Sequence, residues 1–489
     1  MAGFSDDRDF FQLNRLKGYN DAVFAIVATI LVLPIRKLEQ DSGPKETLWN
    51  LLETKWEHII VYLVGFSVIC AIWESHVNRF RILSHVDDVL VWLNLTSLLF
   101  TCFLPFCVNL EATFHSKHTP IILICCDLMV LELLEVAMIF YSFYHDELLT
   151  DEVQELPEVQ MRERRNYLFL KKLTNPVLYV LAGGLSMVST KISWVILVLV
   201  IISPCINRLL GFIFRKCMNI YMGGGDFDRI FGNYIETERV ELFSDGAFAI
   251  VSTLLVLDIT AENFPTVDEV NENGIETMLA NMWREFLTFC GTFIIVALLW
   301  FTHHSLFHYI RNMNQVMLVI NNLSLSFMGL TPLLASIMNK FGGEKNESEK
   351  LAVRCSAVVI FSASLCQAII FVIALCKGQT HLLQNASPSS SPRTHNYLAM
   401  KMIILPLISA LVFNASFAGR SATYVVYFTA VFATPLIFVM LKICFGRGGY
   451  DILHLTIEPD FETFAPTTRR PRARISRKDI TTNSQPIAV

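Results

Sequence analysis

The sequence predicts an all-α polytopic membrane protein made of two parallel six-helix repeats, about twelve transmembrane helices in all. Three observations predict it. The 489-residue chain is 53% hydrophobic and only 17% charged, with a mean hydropathy of +0.48. That composition overrides the two or three soluble domains that length alone suggests. Apolar runs at 89–110, 355–376, 402–419 and 421–441 are each long enough to span a bilayer. Finally, two stretches 224 residues apart nearly repeat one another. One reads Arg15…Tyr19-Asn20-Asp21…Phe24…Ile26…Thr29…Leu33, the other Arg239…Phe243-Ser244-Asp245…Phe248…Ile250…Thr253…Leu257, the mark of a duplicated unit.

In order, the helices of the first half are expected at about 17–36, 58–77, 88–110, 119–144, 172–190 and 192–214. The fourth is interrupted by Asp127, Glu132 and Glu135, and the fifth is short. A charged loop, 146–172, lies between them. The second half places helices at about 240–259, 283–308, 315–338, 352–376, 398–418 and 422–444, with a Ser/Pro-rich loop at 384–393. The organisation is then a cytosolic N-terminus (1–16), a first repeat (17–222), a linker (223–238), a second repeat (239–445) and a cytosolic C-terminal tail (446–489). A second offset, of 227, supports the duplication. It relates Trp56 to Trp283, Trp73-Glu-Ser-His76 to Trp300-Phe-Thr-His303, and Asn94…Pro105 to Asn321…Pro332.

Orientation follows from the basic residues, which concentrate in the cytosolic segments when both termini are cytosolic. Arg162–Lys172 and the tail residues Arg469, Arg470, Arg472, Arg474, Arg477 and Lys478 drive this placement. Asn346-Glu-Ser348 then falls in a non-cytosolic loop, which makes Asn346 a glycosylation candidate. An even number of helices per unit sets both copies the same way up, related by an axis along the membrane normal. A dimer would arrange four units around one central path.

Composition also excludes several classes. The net charge of −5 sits in loops and tails, and nothing indicates nucleic-acid binding. Twelve Cys include no C-x-x-C pair, which removes the usual redox and zinc spacings; buried membrane thiols are expected. The N-terminus lacks a basic n-region and a small-residue cleavage site, so no signal peptide is expected.

The repeated helices are short between charges. Fourteen residues separate Asp21 from Arg36, and twelve separate Asp245 from Asp258. These runs cover roughly 18–21 Å, against about 30 Å of hydrocarbon. A lipid-facing charge at that depth costs about 3 kcal/mol or more, so the two helices are expected inside the protein with their ends in water. Ile26, Thr29 and Leu33 share one face, as do Ile250, Thr253 and Leu257. Four copies would make apolar and hydroxyl rings, of the kind that gate by dewetting and replace part of an ion's hydration. Simple packing, with each Thr bonded to its own backbone, accounts for the same spacing.

The headings Arg15…Tyr19-Asn20-Asp21 and Arg239…Phe243-Ser244-Asp245 resemble the R-x-x-x-F-S-D signature of the endosomal/lysosomal potassium channel family, transmembrane protein 175. The resemblance covers both halves, from about Arg15 to Phe445. It implies a homodimeric, potassium-selective and proton-permeable leak channel of endosome and lysosome membranes, which sets their membrane potential and lumenal pH. No T-V-G-Y-G filter is present. The resemblance implies instead that Ile26 and Ile250 form the narrowest ring, Leu33 and Leu257 a second apolar seal, and Thr29 and Thr253 the ion contacts behind selectivity. An apolar constriction penalises sodium more than potassium, because the smaller ion holds its water more tightly. The partners implied are K+, H+, a second copy of the chain and membrane lipid, with a cytosolic regulatory kinase left open and no cofactor.

The first copy departs from the signature in Tyr19-Asn20, although Asn keeps a hydrogen-bonding side chain. Arg15, Asp21, Arg239 and Asp245 are expected to pair with polar groups on the following helices. The candidates are His76 and Asn94 in the first unit, and His303 and Asn321 in the second, beside Trp73 and Trp300.

Other groups point elsewhere more weakly. His304 and His308 share a helix face, but no third ligand is placed and no metal is expected. Asp127, Glu132 and Glu135 have no counterpart in the second half; a proton relay is one reading, and a vestibule or pairing with Lys171 and Lys172 the plainer one. The basic tail suits anionic lipid, and Tyr450-Asp-Ile-Leu453 resembles an endolysosomal sorting signal. The competing function is a twelve-helix secondary transporter, although Asn78-Arg-Phe-Arg81 stands where a Gly-rich Asp-Arg loop would be expected. An enzyme is not expected, since no catalytic set recurs.

Overall fold

The structure, a computed structural model, describes residues 12–35, 47–114, 117–155, 157–199, 236–257, 259–260, 264–342, 347–378, 381–383, 386–417 and 420–445. Arg36, Asp258, Asn346, the sorting-like Tyr450–Leu453, the basic tail, linker residues 223–235 and the expected helix over 200–214 lie outside the described residues. The helical unit considered below runs to Leu441.

Among the described residues, eight helices are long and apolar enough to cross a membrane. In the first half, α1 is Leu13–Ile30, α2 Leu48–Phe80, α3 Asp88–Thr113, α4 His118–Tyr144 and α5 Glu158–Ser186, followed by the short apolar α6, Thr190–Leu199. In the second half, α7 is Thr237–Leu254, α8 Trp283–Phe307, α9 Gln315–Met328, α10 Thr331–Phe341, α11 Glu347–Lys377, α12 Pro392–Ala415 and α13 Arg420–Phe445.

The ends of α1 and α7 coincide in register, one residue after a back-bonded threonine in each. Thr29 donates to the Ile26 carbonyl at 3.0 Å, and Thr253 to the Ile250 carbonyl at 2.8 Å. A hydroxyl back-bonded this way competes for the helix ladder, and each regular helix stops one residue later.

Several boundaries differ from expectation. The second helix starts ten residues early because Thr47 caps it, accepting from the Asn50 amide at 3.4 Å. Its 33 residues extend about 50 Å, beyond the hydrocarbon. The charged loop over 146–172 is helical from Glu158 onward, since the residues after Pro157 are good helix formers and none breaks the run.

The expected helix 315–338 is split into α9 and α10. Gly329 abuts the Tyr62 hydroxyl, which donates to the Ser326 carbonyl at 3.0 Å. Pro332 then opens α10. A proline at the matching place in α3, Pro105, leaves that helix continuous. The proline alone therefore does not break the helix; the intruding tyrosine accompanies the break.

Small motifs recur at the sequence offset. Asp87 accepts from the Leu90 amide at 2.9 Å, and Asn314 from the Met317 amide at 2.9 Å. The turn after α2 pairs Leu83 with Leu149, and the turn after α8 pairs Ile310 with Leu382.

Candidate pore helices and their buried support

The two repeated helices, α1 and α7, pack directly against each other. Ala25 of α1 sits so close to Gly246 of α7 that an added Cβ on the glycine would lie 2.9 Å away. Beside this contact Arg239 donates twice to Asp21, Nε to Oδ2 and Nη2 to Oδ1, both at 2.6 Å. The Trp73 indole N–H donates to the same carboxylate at 2.8 Å, and its ring stacks on Phe243 with centroids 4.4 Å apart. Asp21, Trp73 and Phe243 are 0% exposed and Arg239 is 3% exposed.

This geometry revises the expected partners. Asp21 and Arg239 bond to each other across the two halves, not to His76, Asn94, His303 or Asn321. The bidentate fork is the strongest geometry an Arg–carboxylate pair adopts. It offsets the cost of burying both charges, a cost that falls in full on either one left alone.

The second polar position of each heading splits the two copies. In the second half Ser244 accepts from the Asn321 amide at 3.1 Å, and His303 Nε2 meets Asn321 Oδ1 at 3.0 Å. In the first half Asn20 and Asn94 bond reciprocally, at 2.9 and 3.4 Å. The longer Asn20 offers both a donor and an acceptor, so it engages both ends of the Asn94 amide. His76 turns instead to Arg79, which donates to its Nδ1 at 2.7 Å. Both histidines still rest against the repeat phenylalanine, Phe24 at 5.3 Å and Phe248 at 5.5 Å.

Behind His76 lies a charge cluster of which the sequence reading found only part. Arg79 donates to Glu135, and Lys172 donates to Glu135 at 2.8 Å and to Ser75. Glu132 accepts from Asn175 at 2.6 Å and faces Lys172 at 3.6 Å. Two acids and two bases thus balance inside the bundle. Glu132 and Glu135 take the pairing reading through Lys172; Asp127 has no such partner, and the Lys171 side chain lies outside the described residues. Arg79 escaped notice because Asn78-Arg-Phe-Arg81 reads as a loop, although three residues from His76 is one helical turn. In the second half the place of Ser75 belongs to Thr302, which donates to the neutral Gln367 at 2.6 Å.

The remaining candidates divide by exposure. Arg15, Tyr19, Ile26, Asp245 and Thr253 are exposed, Ile250, Leu33 and Leu257 are partly covered, and Thr29 is fully buried with its hydroxyl also 2.9 Å from the Ala25 carbonyl. Asp245 accepts from the Trp300 indole at 2.8 Å. Trp300 is 39% exposed where its counterpart Trp73 is covered. His304 stacks on Trp300, and His308 meets Tyr309 edge to face. Among the described residues no group of three His, Cys, Asp or Glu side chains is arranged for a metal.

The two equivalent helices, joined by a buried ion pair, make this a duplicated helical membrane protein whose halves meet through their repeated elements. The family model for the endosomal/lysosomal potassium channel TMEM175 matches residues 15–105 and 239–332. A Danio rerio protein named endosomal/lysosomal proton channel TMEM175 is 33% identical over 446 residues, covering 88% of this chain and 81% of its own. A Gallus gallus protein of the same name is 32% identical, covering 88% and 86%. A potassium channel of Streptomyces collinus is 30% identical over 134 residues, 27% of this chain and 63% of its own. The chain belongs to the TMEM175 family. That is a family of ion channels, which removes the secondary-transporter alternative and the enzyme classes.

Proposed function

We propose that the chain forms, as a homodimer, a potassium-selective and proton-permeable leak channel of endosome and lysosome membranes, its pore lined by α1 and α7. One observation carries this reading: α1 and α7 meet through unlike faces and leave the complementary faces uncovered. Toward α7, α1 presents Asp21 and Ala25. Toward α1 and the Trp73 of α2 beside it, α7 presents Arg239, Phe243 and Gly246. At the repeat offset, the face of α7 matching Asp21 and Ala25 is Asp245 and Ala249. The face of α1 matching Arg239, Phe243 and Gly246 is Arg15, Tyr19 and Ala22. All five are exposed.

A contact of this head-to-tail kind, repeated with a rotation that closes, makes a ring. A second copy would bring Arg15 to the partner's Asp245 and lay its Tyr19 over the exposed Trp300. The two faces lie roughly 120° apart around each helix at 3.6 residues per turn. The narrower arc holds Thr29 and Thr253, with Leu33, Leu257, Ile26 and Ile250 along its edge toward Tyr19 and Phe243, and this side then turns inward. The exposed Thr253 hydroxyl, donating to its own backbone, keeps lone pairs for a cation, the covered Thr29 lies behind it, and the isoleucine and leucine rings resist wetting.

On this reading residues 17–222 and 239–445 are the two units, joined by the 223–238 linker. Both termini (1–16 and 446–489) are cytosolic, and Asn346 is available to glycosylation on the far side. Lipid surrounds the dimer, and K+ and H+ are the permeant ions.

Two measurements test the proposal. Recordings from the purified protein in planar bilayers are expected to show ohmic potassium current; flux that saturates at carrier rates would overturn the channel reading. Ala22→Cys with Ala249→Cys, the counterparts of the Gly246–Ala25 contact, is expected to give a covalent dimer on non-reducing gels. Each single variant should remain at monomer mass. Persistent monomer from the double variant would exclude this ring.

A further inference from the structure

The first half holds two carboxyl groups that the pore does not use. Glu111, near the C-terminal end of α3, is 0% exposed, and Asp127, nine residues into α4, is 4% exposed. The Trp194 indole of α6 donates to Glu111 Oε1 at 2.8 Å. Glu111 Oε2 and both oxygens of Asp127 have no hydrogen-bond partner among the described residues.

Both acids lie in the α3–α4 seam. Cys107, one turn before Glu111, is within electrostatic range of Asp127, and Cys125, two residues before Asp127, is within range of Glu111. The buried Tyr179 of α5 lies within electrostatic range of Cys125. Lys172 of α5 is engaged by Glu132, Glu135 and Ser75. In α11, the counterpart of α4, the only acids are Glu347 and Glu349 in the first turn.

We propose that Glu111 and Asp127 each bind a proton inside the first six-helix unit, separately from the pore helices. An isolated ionised carboxylate is among the costliest groups to bury, whereas its protonated form is a neutral donor and acceptor. The occupant that fits is a proton. Hard metal cations need several oxygen ligands, and the neighbours here are thiols, a phenol and apolar side chains. The reaction is a simple protonation, with one carboxylate oxygen taking H+ to become a carboxylic acid and no other bond changing. Glu111 ends two residues from the α3 terminus, which places the aqueous face closest to it. The molecule thus gains a place to register proton concentration that its second half lacks.

Infrared spectroscopy of the full-length protein in phosphatidylcholine vesicles tests this directly. Surface Asp and Glu are ionised at neutral pH, so a carboxylic-acid carbonyl band persisting at pH 7 reports buried acids. Asp127→Asn and Glu111→Gln are each expected to remove about half of that band, with size-exclusion profiles unchanged. If a variant fails to fold, the wild-type protein labelled with 13C-aspartate should show part of the band shifted. Absence of the band in the wild type, or an unchanged band in both variants, would overturn the assignment. Neither readout depends on ion current, so a failure here is separable from a failure of the channel reading.

Discussion

Asp21→Asn is expected to destabilise the protein by about 3–5 kcal/mol. The asparagine keeps the shape and still accepts from Trp73, but it leaves the Arg239 guanidinium buried without a counter-charge. Arg239→Met, which leaves Asp21 unpaired, should cost a similar amount. The double variant should recover part of the loss, because the charge that burial penalises is gone from both sides. Thermal unfolding of the detergent-solubilised protein measures all three, and the double-mutant cycle isolates the coupling. Additive losses, or single losses below about 1 kcal/mol, would mean that the pair is not the buried clasp between the two halves. On the proposed pore the consequence reaches function, because this clasp fixes the register of α1 against α7.

Ile26→Asn combined with Ile250→Asn is expected to raise resting current and lower potassium-over-sodium selectivity by about tenfold, equivalent to about 1.4 kcal/mol of discrimination. An apolar ring selects by making ions shed water, and an amide at the same place supplies substitute ligands to either ion. Reversal potentials under bi-ionic K+/Na+ conditions give the ratio. Either single change should produce a smaller shift, since a dimer would keep two isoleucines in the ring. Unaltered selectivity in the double variant would remove these isoleucines from the constriction.

How much of this was readable in the chain can be judged residue by residue. The repeat, the Trp–His helices and the conserved spacing within each heading lie in local pattern, because helix periodicity and apolar length are set by neighbours a few residues away. The pairing of Asp21 with Arg239, 218 residues apart, left no such trace. Each residue reads as equally suited to a partner within its own half. Arg79 was misplaced because a charge at the end of an apolar run signals a loop, and only the inward Glu135 makes it a core residue. Asn20 was visible as a departure from Ser244. That it would capture Asn94 and release His76 toward Arg79 depended on distances between three helices.

The sequence by itself determined that this is a duplicated helical membrane protein of the TMEM175 type, and which face of the repeated helix carries Ile, Thr and Leu. The tertiary structure decided how the copies are used: α1 against α7 through unlike faces, one ion pair closed, and Arg15 and Asp245 left uncovered. The physical reason is that composition and periodicity act along the chain. Charge pairing and close packing act across it, and two headings with the same Arg-to-Asp spacing cannot specify which Arg meets which Asp until the helices are set side by side.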